Sequence, residues 1–194
     1  MATIEVSVND EQLSFETTET LFSPRRADRG TLAMLSMVTF EGGQRVLDLG
    51  CGYGLVGILA AKKVGGENVV MLDVDSEAVR VAAANAAQNN VPDVQVVESD
   101  GFQSLDESAF DHILSNPPYH TDFSVARSFI LKGFNRLKLG GRMWMVTKRS
   151  TWYRRKLQSV FGNAYQHKVD GYTVFEAVKK SDSYAQAGKR RKRR

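Results

Sequence analysis

From Arg45 onward the chain repeats one alternation, a short apolar run and then a longer stretch with helical spacing. Few architectures accommodate that rhythm. "RVLDLG" precedes "GLVGILAAKKV", and "NVVMLDV" precedes "SEAVRVAAANAAQNN". "DVQVVES" and "FDHILSN" are two further runs, followed by "FSVARSFILKGFNRLK", closed at Gly140-Gly141, and then by "RMWMVT". Short runs rich in Val, Leu and Ile fit strands buried on both faces. Strands separated by helices fit βαβ units, and so a parallel sheet with helices on both faces. Ser76 reads as the N-cap of the second helix, with Asp75 as a further cap.

The flanks differ. "TIEVSVNDEQLSFET" alternates apolar and polar residues around Asn9-Asp10, which predicts a hairpin. Ala27 to Phe40 has helical spacing and runs up to Gly42-Gly43. Downstream, a basic helix around "TWYRRKLQSVF" is followed by "YQHKV" and "YTVFEAVKK", a second hairpin across Asp170-Gly171. The expectation is an α/β fold: a mostly parallel seven-stranded sheet with helices on both faces, an N-terminal hairpin and an antiparallel C-terminal edge hairpin. Residues 1–180 form one domain in this reading, with 1–42 as hairpin and lead-in helix and 181–194 as a basic, disordered tail.

Apolar residues make up 42% and charged residues 25%, ordinary for a globular chain. No apolar run approaches the roughly 20 residues of a membrane span. The stretch "MATIEVSVNDEQ" is acidic and alternating, unlike a secretory signal. Cys51 is the only cysteine and forms no internal disulfide, which fits a reducing cytosol. The net charge of +4 conceals a division. Residues 1–122 hold 7 Lys/Arg against 19 Asp/Glu, a balance of −12; residues 123–194 hold 19 against 3, a balance of +16. From Phe123 to Val169 there are 11 basic residues and no acidic one, and the chain ends in "KRRKRR". Such asymmetry implies a polyanionic partner for the C-terminal half.

Three strand ends carry candidate chemistry. "VLDLGCGYG" sets Gly50, Gly52 and Gly54 between the first strand of the alternation and its helix, where backbone approaches a ligand closely. The spacing is G-x-G-x-G, not the dinucleotide fingerprint. Asp48 places negative charge where a pyrophosphate would be repelled, so a zwitterionic or cationic ligand suits the loop better. Cys51 reads as a small neighbour of that ligand. Asp73 ends the next strand, about 20 residues on, where a carboxylate accepts hydrogen bonds from both hydroxyls of a ribose; Val74 follows it. Asp100-Gly101 ends the third strand, either as an acceptor for an adenine amine or as a routine turn. Together these positions describe a nucleoside without phosphates.

The ordered set "VLDLGCGYG", "VVMLDVD", "VVESDGF" and "ILSNPPY" resembles the class I, Rossmann-like methyltransferases that use S-adenosylmethionine, over roughly Arg45 to Lys180. In that group the NPPY position belongs to enzymes that methylate nitrogen attached to a planar conjugated system. The resemblance implies S-adenosylmethionine at Asp48, Gly50, Cys51, Gly52, Asp73, Val74, Asp100, Gly101 and Asn116, and catalysis by Asn116, Pro117 and Tyr119. Such a nitrogen is a poor nucleophile because its lone pair is delocalised. The Asn116 side-chain oxygen and the Pro117 carbonyl would bind its two N–H groups and stabilise charge developing on it. Pro117 and Pro118 fix the backbone in advance, and Tyr119 would stack on the flat substrate. No metal, covalent nucleophile or side-chain base is required, because the methylated amine is acidic enough to lose its proton to water. His112 and His120 are therefore not expected to act as bases.

"TLFSPRRADRGTLAML" narrows the target. Phe22, Ser23, Asp28, Gly30 and Thr31 resemble the lead-in segment of the guanine-N2 methyltransferases of small-subunit ribosomal RNA, and the chain looks like their single-domain relatives. Pro24 and the Arg25-Arg26 pair depart from that pattern. The resemblance implies guanine N2 of 16S ribosomal RNA as substrate. Adenine N6 in RNA follows as the alternative, then glutamine N5 in a protein, or a non-catalytic ribosome assembly factor. Pro118, Tyr119, Arg25, Lys148 and Arg149 are the expected substrate contacts, although Arg25 and Arg26 fit the cofactor as well as RNA. Trp152 and Tyr153, set among Lys148, Arg149, Arg154, Arg155 and Lys156, either stack bases or pack a helix on the sheet.

Overall fold

Leu47 and Leu49 point to one side of their strand and Val46 and Asp48 to the other, and this two-sided burial places the strand at the middle of a sheet. The computed structural model describes residues 2–21, 23–118 and 123–185. Strands β3 (Val46–Leu49), β4 (Val69–Asp73), β5 (Gln95–Glu98), β6 (Phe110–Ser115) and β7 (Leu137–Thr147) are parallel. The hairpin of β8 (Tyr165–Val169) and β9 (Tyr172–Val178) adds two antiparallel strands, giving the order β5-β4-β3-β6-β7-β9-β8. Helices α1 (Arg29–Leu35), α2 (Leu55–Val64) and α3 (Ser76–Gln88) cover one face; α4 (Ser124–Arg136) and α5 (Ser150–Phe161) cover the other. The second face is filled by Phe102, Phe110, Phe134 and Phe175, and each buried ring of this kind stabilises the fold by about 1.5–3 kcal/mol. The mostly parallel seven-stranded sheet and both hairpins agree with the sequence expectation.

The N-terminal hairpin, β1 (Ala2–Val8) and β2 (Glu11–Thr17), is a separate two-stranded sheet. Asn9 and Asp10 both have positive φ, 48° and 64°, as a two-residue turn of this hand requires. The outer edge of β2 does not bond another strand. Asn85 on α3 and Asn89, the residue that caps its C-terminus one turn later, take that role. The Asn85 Oδ1 accepts from Glu16 N at 2.8 Å and its Nδ2 donates to Glu16 O at 3.0 Å; Asn89 treats Ser14 the same way at 3.1 and 2.8 Å. Asn85 Nδ2 also donates to Tyr53 O at 2.9 Å, joining hairpin, helix and glycine loop.

Four boundaries differ from the sequence reading. Helix α1 covers seven residues, not Ala27 to Phe40. Asn9 Nδ2, from the hairpin turn, donates to Leu35 O at 3.2 Å, and Met37 and Val38 close tighter i→i+3 bonds onto Met34 and Leu35, so the helix ends there. The N-cap of α3 is Asp75, whose carboxylate accepts from Glu77 N, and Ser76 is the first helical residue. Gly140-Gly141 does not close α4. The helix stops at Arg136 and β7 starts at once; the glycines form a bulge, where Phe110 pairs with Leu137 but His112 pairs with Arg142. A Cβ at Gly141 would lie 2.7 Å from Phe110 O, which is why no side chain stands there. Finally, the expected disorder from Ser181 does not begin there. Tyr184 lies edge-on to Phe134, with ring centroids 5.0 Å apart, and its hydroxyl donates to Leu131 O at 3.0 Å. Residues 186–194, with their basic run, lie outside the described residues.

Candidate active site

The carboxyl ends of β3, β4, β5 and β6 open into a cleft of about 420 Å³. The loop after β3 forms its floor. Gly50 N and Cys51 N both donate to Leu72 O, at 2.8 and 2.9 Å, which turns the chain sharply away from the sheet. Gly50 (φ 79°) and Gly52 (φ 54°) adopt the left-handed conformation this needs, and a Cβ at either would meet only open space. The bare backbone therefore faces the cleft.

Two carboxylates brace the loop. Asp73 Oδ2 accepts from Gly52 N at 2.8 Å and its Oδ1 from Asp75 N at 3.0 Å. An ionised carboxylate has about four acceptor sites, so each oxygen keeps one for a ligand. Asp48 is buried on the α2 side, where its Oδ2 accepts from Gly57 N at 2.9 Å. Burial pushes its pKa up to about 7, Gly57 N–H opposes that shift, and the Asp73 charge adds to it. A cation in the cleft would relieve this cost. Burial, with Asp48 and Asp73 beside it, holds the Cys51 thiol well above its ordinary pKa, so Cys51 lines the cleft as a small neutral group.

At the β5 end, Asp100 is exposed and accepts from Gln103 Nε2 at 3.0 Å, while Ser99 Oγ donates to Gly101 O at 2.9 Å and fixes the turn. Val74, 67% exposed, and Phe129, from α4, line the cleft beside Asp100 and Gly101 and give that end apolar walls. Sequence reasoning named Val74 but missed Phe129, Val125, Tyr53 and Ser99. The two on α4 approach only because that helix packs back over the sheet.

Asn116 follows β6, whose last residue ties back to β3 through Ser115 Oγ donating to Leu49 O at 2.8 Å. Asn116 Nδ2 donates to Asp28 Oδ1 at 2.8 Å and to Thr31 Oγ1 at 3.0 Å. Its Oδ1 is buried and has no hydrogen-bond partner among the described residues. Such a group carries a desolvation cost of about 1–3 kcal/mol unless something binds it. Pro117 and Pro118 line the cleft beside it. Tyr119 and His120, like Phe22, lie outside the described residues.

The structure brings Asp48, Gly50, Cys51, Gly52, Asp73, Val74, Asp100, Gly101, Asn116, Pro117 and Pro118 together at this cleft. Arg25, Lys148 and Arg149 do not line it. Arg25 is exposed; Lys148 Nζ lies over the Tyr172 ring at 4.9 Å, and the Arg149 guanidinium over the Phe123 ring at 5.7 Å. Trp152, half-buried, is stacked on Phe123 (centroids 4.3 Å apart, planes at 12°), and Tyr153 is buried against Phe175. His112 is buried at the other end of β6, Nε2 to Gln44 Oε1 at 3.1 Å and Nδ1 accepting from Trp144 Nε1 at 3.1 Å. Burial, with Arg142 nearby, lowers its pKa to about 4. It is a structural group. Among the described residues no set of three or more His, Cys, Asp or Glu side chains is placed to hold a metal ion, and no helix is long and apolar enough to cross a membrane.

Comparison with known proteins gives this cleft a context. A family model described as the methyltransferase small domain matches residues 12–176. The chain belongs to that family. S-adenosylmethionine is the methyl donor that the family uses. Among solved structures, the chain is similar to the T. thermophilus 16S rRNA N2 G1207 methyltransferase RsmC in complex with AdoMet and guanosine. The TM-score is 0.86 at 27% identity, over 92% of this chain and 50% of that one. Among curated proteins it is 33% identical over 168 residues to ribosomal RNA large subunit methyltransferase G of Streptomyces avermitilis (82% of this chain, 44% of the relative). It is 29% identical over 180 residues to YbxB of Bacillus subtilis, an uncharacterized protein, with 89% of both chains covered. The chain thus spans about half the length of the two ribosomal RNA methyltransferases.

Proposed function

We propose that this methyltransferase-family chain transfers a methyl group from S-adenosylmethionine to an exocyclic amino nitrogen of a base in RNA, with guanine N2 of 16S ribosomal RNA as the first target to test. One observation carries the reading: the buried Asn116 Oδ1, an acceptor without a partner, at the edge of a cleft whose other end suits a nucleoside. Only a donor satisfies that oxygen, and an amino group is one.

The residues present fit the cofactor. Asp73 retains two acceptor sites for ribose hydroxyls, Asp100 offers an acceptor to an adenine amine, and Val74 and Phe129 would border the base. The bare backbone of Gly50 and Gly52 leaves room for the amino-acid portion, near Asp48. When bound, S-adenosylmethionine supplies a methyl group made electrophilic by its positive sulfur. The protein's part is positioning. Asn116 Oδ1 and the Pro117 carbonyl take the two N–H groups of the target amine, turn its lone pair toward the donor, and stabilise positive charge as it develops. The methylated amine then releases its proton to water.

RNA as the substrate follows from the face next to the cleft. Arg127 on α4, Arg154 and Arg155 on α5, and Lys148 and Arg149 between β7 and α5 are exposed, with no acidic partner among the described residues. Lys156 lies near enough to Arg127 that burial and that charge lower its pKa. Such a field attracts phosphates, and unstacked bases in folded RNA reach a pocket at modest cost.

The test is incubation with radiolabelled S-adenosylmethionine and unmodified small- and large-subunit ribosomal particles, followed by nucleoside analysis. Labelled N2-methylguanosine in the small subunit is expected. It should fall about 100- to 1,000-fold in Asn116→Ala while cofactor binding persists. Labelled N6-methyladenosine would move the target to adenine, and label in the large subunit would move the site. Label on a release factor in place of RNA would overturn the RNA reading.

A further inference from the structure

We propose that Asp28 is a positioning residue that decides which atom of the Asn116 amide faces the cleft, an inference that rests on the amine-clamp reading above. Asp28 Oδ1 receives Asn116 Nδ2 at 2.8 Å, Thr31 N at 2.8 Å and Thr31 Oγ1 at 3.3 Å. A carboxylate accepts and does not donate, so the amide atom it faces is the NH2 group. The oxygen is thereby turned away, and it is the atom left buried without a partner. A flipped amide would set oxygen against oxygen at Asp28 and present N–H groups to an incoming amine. Thr31 Oγ1, at 3.0 Å from Nδ2, accepts or donates and so does not select either orientation by itself. The selection comes from Asp28.

Asp28 is itself held in place. It caps α1, and the next turn presses on β9: a Cβ at Gly30 would come 2.9 Å from Tyr172 Cε1 and 3.0 Å from Asp28 Oδ1. The Lys148 ammonium lies over the same Tyr172 ring. The lead-in segment thus serves the chemistry through one hydrogen bond spanning 88 positions of sequence.

An exchange of the two side chains tests this. Asp28→Asn keeps the N-cap and the Asn116 bond while its oxygen stays on Thr31 N. A turned amide, which gives up that cap, presents NH2 to position 116 and makes the second orientation of Asn116 accessible. The variant should lower kcat about two- to threefold, with KM for S-adenosylmethionine and melting temperature little changed. Asn116→Asp sets two carboxylates together and should lose activity by about 100-fold or more. In the double variant Asp28→Asn/Asn116→Asp, the amide at position 28 turns its NH2 to one carboxylate oxygen at position 116, giving up the Thr31 N cap with some fall in melting temperature, and leaves the other oxygen facing the cleft. Its activity should recover at least about tenfold over Asn116→Asp alone. A merely structural Asp28 gives a double variant no better than the worse single one, which overturns the proposal.

A second readout does not need turnover. The Asn116 side-chain NH2 resonances, assigned by their loss in Asn116→Asp, should shift in Asp28→Asn in the cofactor-free protein while the β3 and β4 amides stay in place. Unmoved Asn116 resonances also overturn the proposal. If the wild-type chain methylates no RNA, the functional reading above fails, and the amide resonances still decide the role of Asp28.

Discussion

Asp73 accepts a backbone N–H from the glycine loop and Asp48 one from the first turn of α2, whereas Arg127, Lys148, Arg149, Arg154 and Arg155 stand in solvent with no carboxylate partner among the described residues. Both groups flank one sheet edge. The acids are fixed by these bonds, so the cationic nucleoside of the proposed reaction would meet a prepared set of acceptors and little ordering would remain to be done. The cations sit on long, flexible side chains, and their attraction is summed over many phosphates without demanding one geometry. In the proposed reaction, selectivity for the donor and affinity for the RNA would thus fall to different halves of the chain. This separation makes the two halves independently breakable.

The sharpest break is Asp73→Ala. It removes both remaining ribose acceptors and the brace on Gly52, so the Kd for S-adenosylmethionine should rise about 100-fold, by calorimetry, with RNA affinity unchanged. Loss of RNA binding in the same variant would mean that the halves are not separable. Next comes the triple variant Arg154→Ala/Arg155→Ala/Lys156→Ala. RNA affinity at low salt should drop about tenfold and the salt slope should become shallower by about 2, at about 0.7 per lost phosphate contact on a single strand. Cofactor affinity should not move.

The smallest effect belongs to Asp48. Its folded-state pKa of about 7 lies above the 3.8 of an ordinary carboxylate, so its contribution to stability is full below about pH 4 and is lost as pH rises toward 7. Asp48→Asn should therefore be more stable than the parent at pH 8, by at least about 1 kcal/mol, with the gain vanishing near pH 4. A bound cation favours the ionised form. The parent's affinity for S-adenosylmethionine should accordingly rise several-fold from about pH 6 to 8, and the Asn variant should be flat across that range. A rise that persists in Asp48→Asn would assign the titration to another group.

What the sequence made legible was local. Strand ends mark a sheet edge, so Asp48, Asp73, Asp100 and Asn116 were traceable to one cleft from their places after apolar runs. Asn9-Asp10 and Asp170-Gly171 carry their turn geometry in two residues. Errors arose where a distant group decides the outcome. Leu35 ends α1 because Asn9 caps it from 26 positions away. Gly140-Gly141 looks like a helix stop, yet it is a bulge bonded to Lys179 through Gly140 N to Lys179 O and Lys179 N to Gly141 O. Asp28 was visible as part of a motif, but its bond to Asn116 needs the lead-in segment and β6 to meet, which no window of sequence displays. The stack of Trp152 on Phe123 was likewise hidden, because Phe123 belongs to another helix boundary.

The pair Asn85 and Asn89 has a consequence for how the molecule comes apart. Two amide side chains at the C-terminal end of α3 supply the main polar attachment of β2, and the hairpin shares no strand pairing with the seven-stranded sheet. Apolar burial supplies the rest of the attachment: Ile4, Val6, Leu13 and Phe15 are buried in the same core as the helices of that face, so the hairpin cannot open without exposing it. When it does open, α1 loses the Asn9 bond at Leu35, and the glycine loop loses the Asn85 bond at Tyr53. The hairpin's attachment therefore runs beneath both walls of the cleft, and whatever binds the folded cleft also holds the hairpin onto the domain.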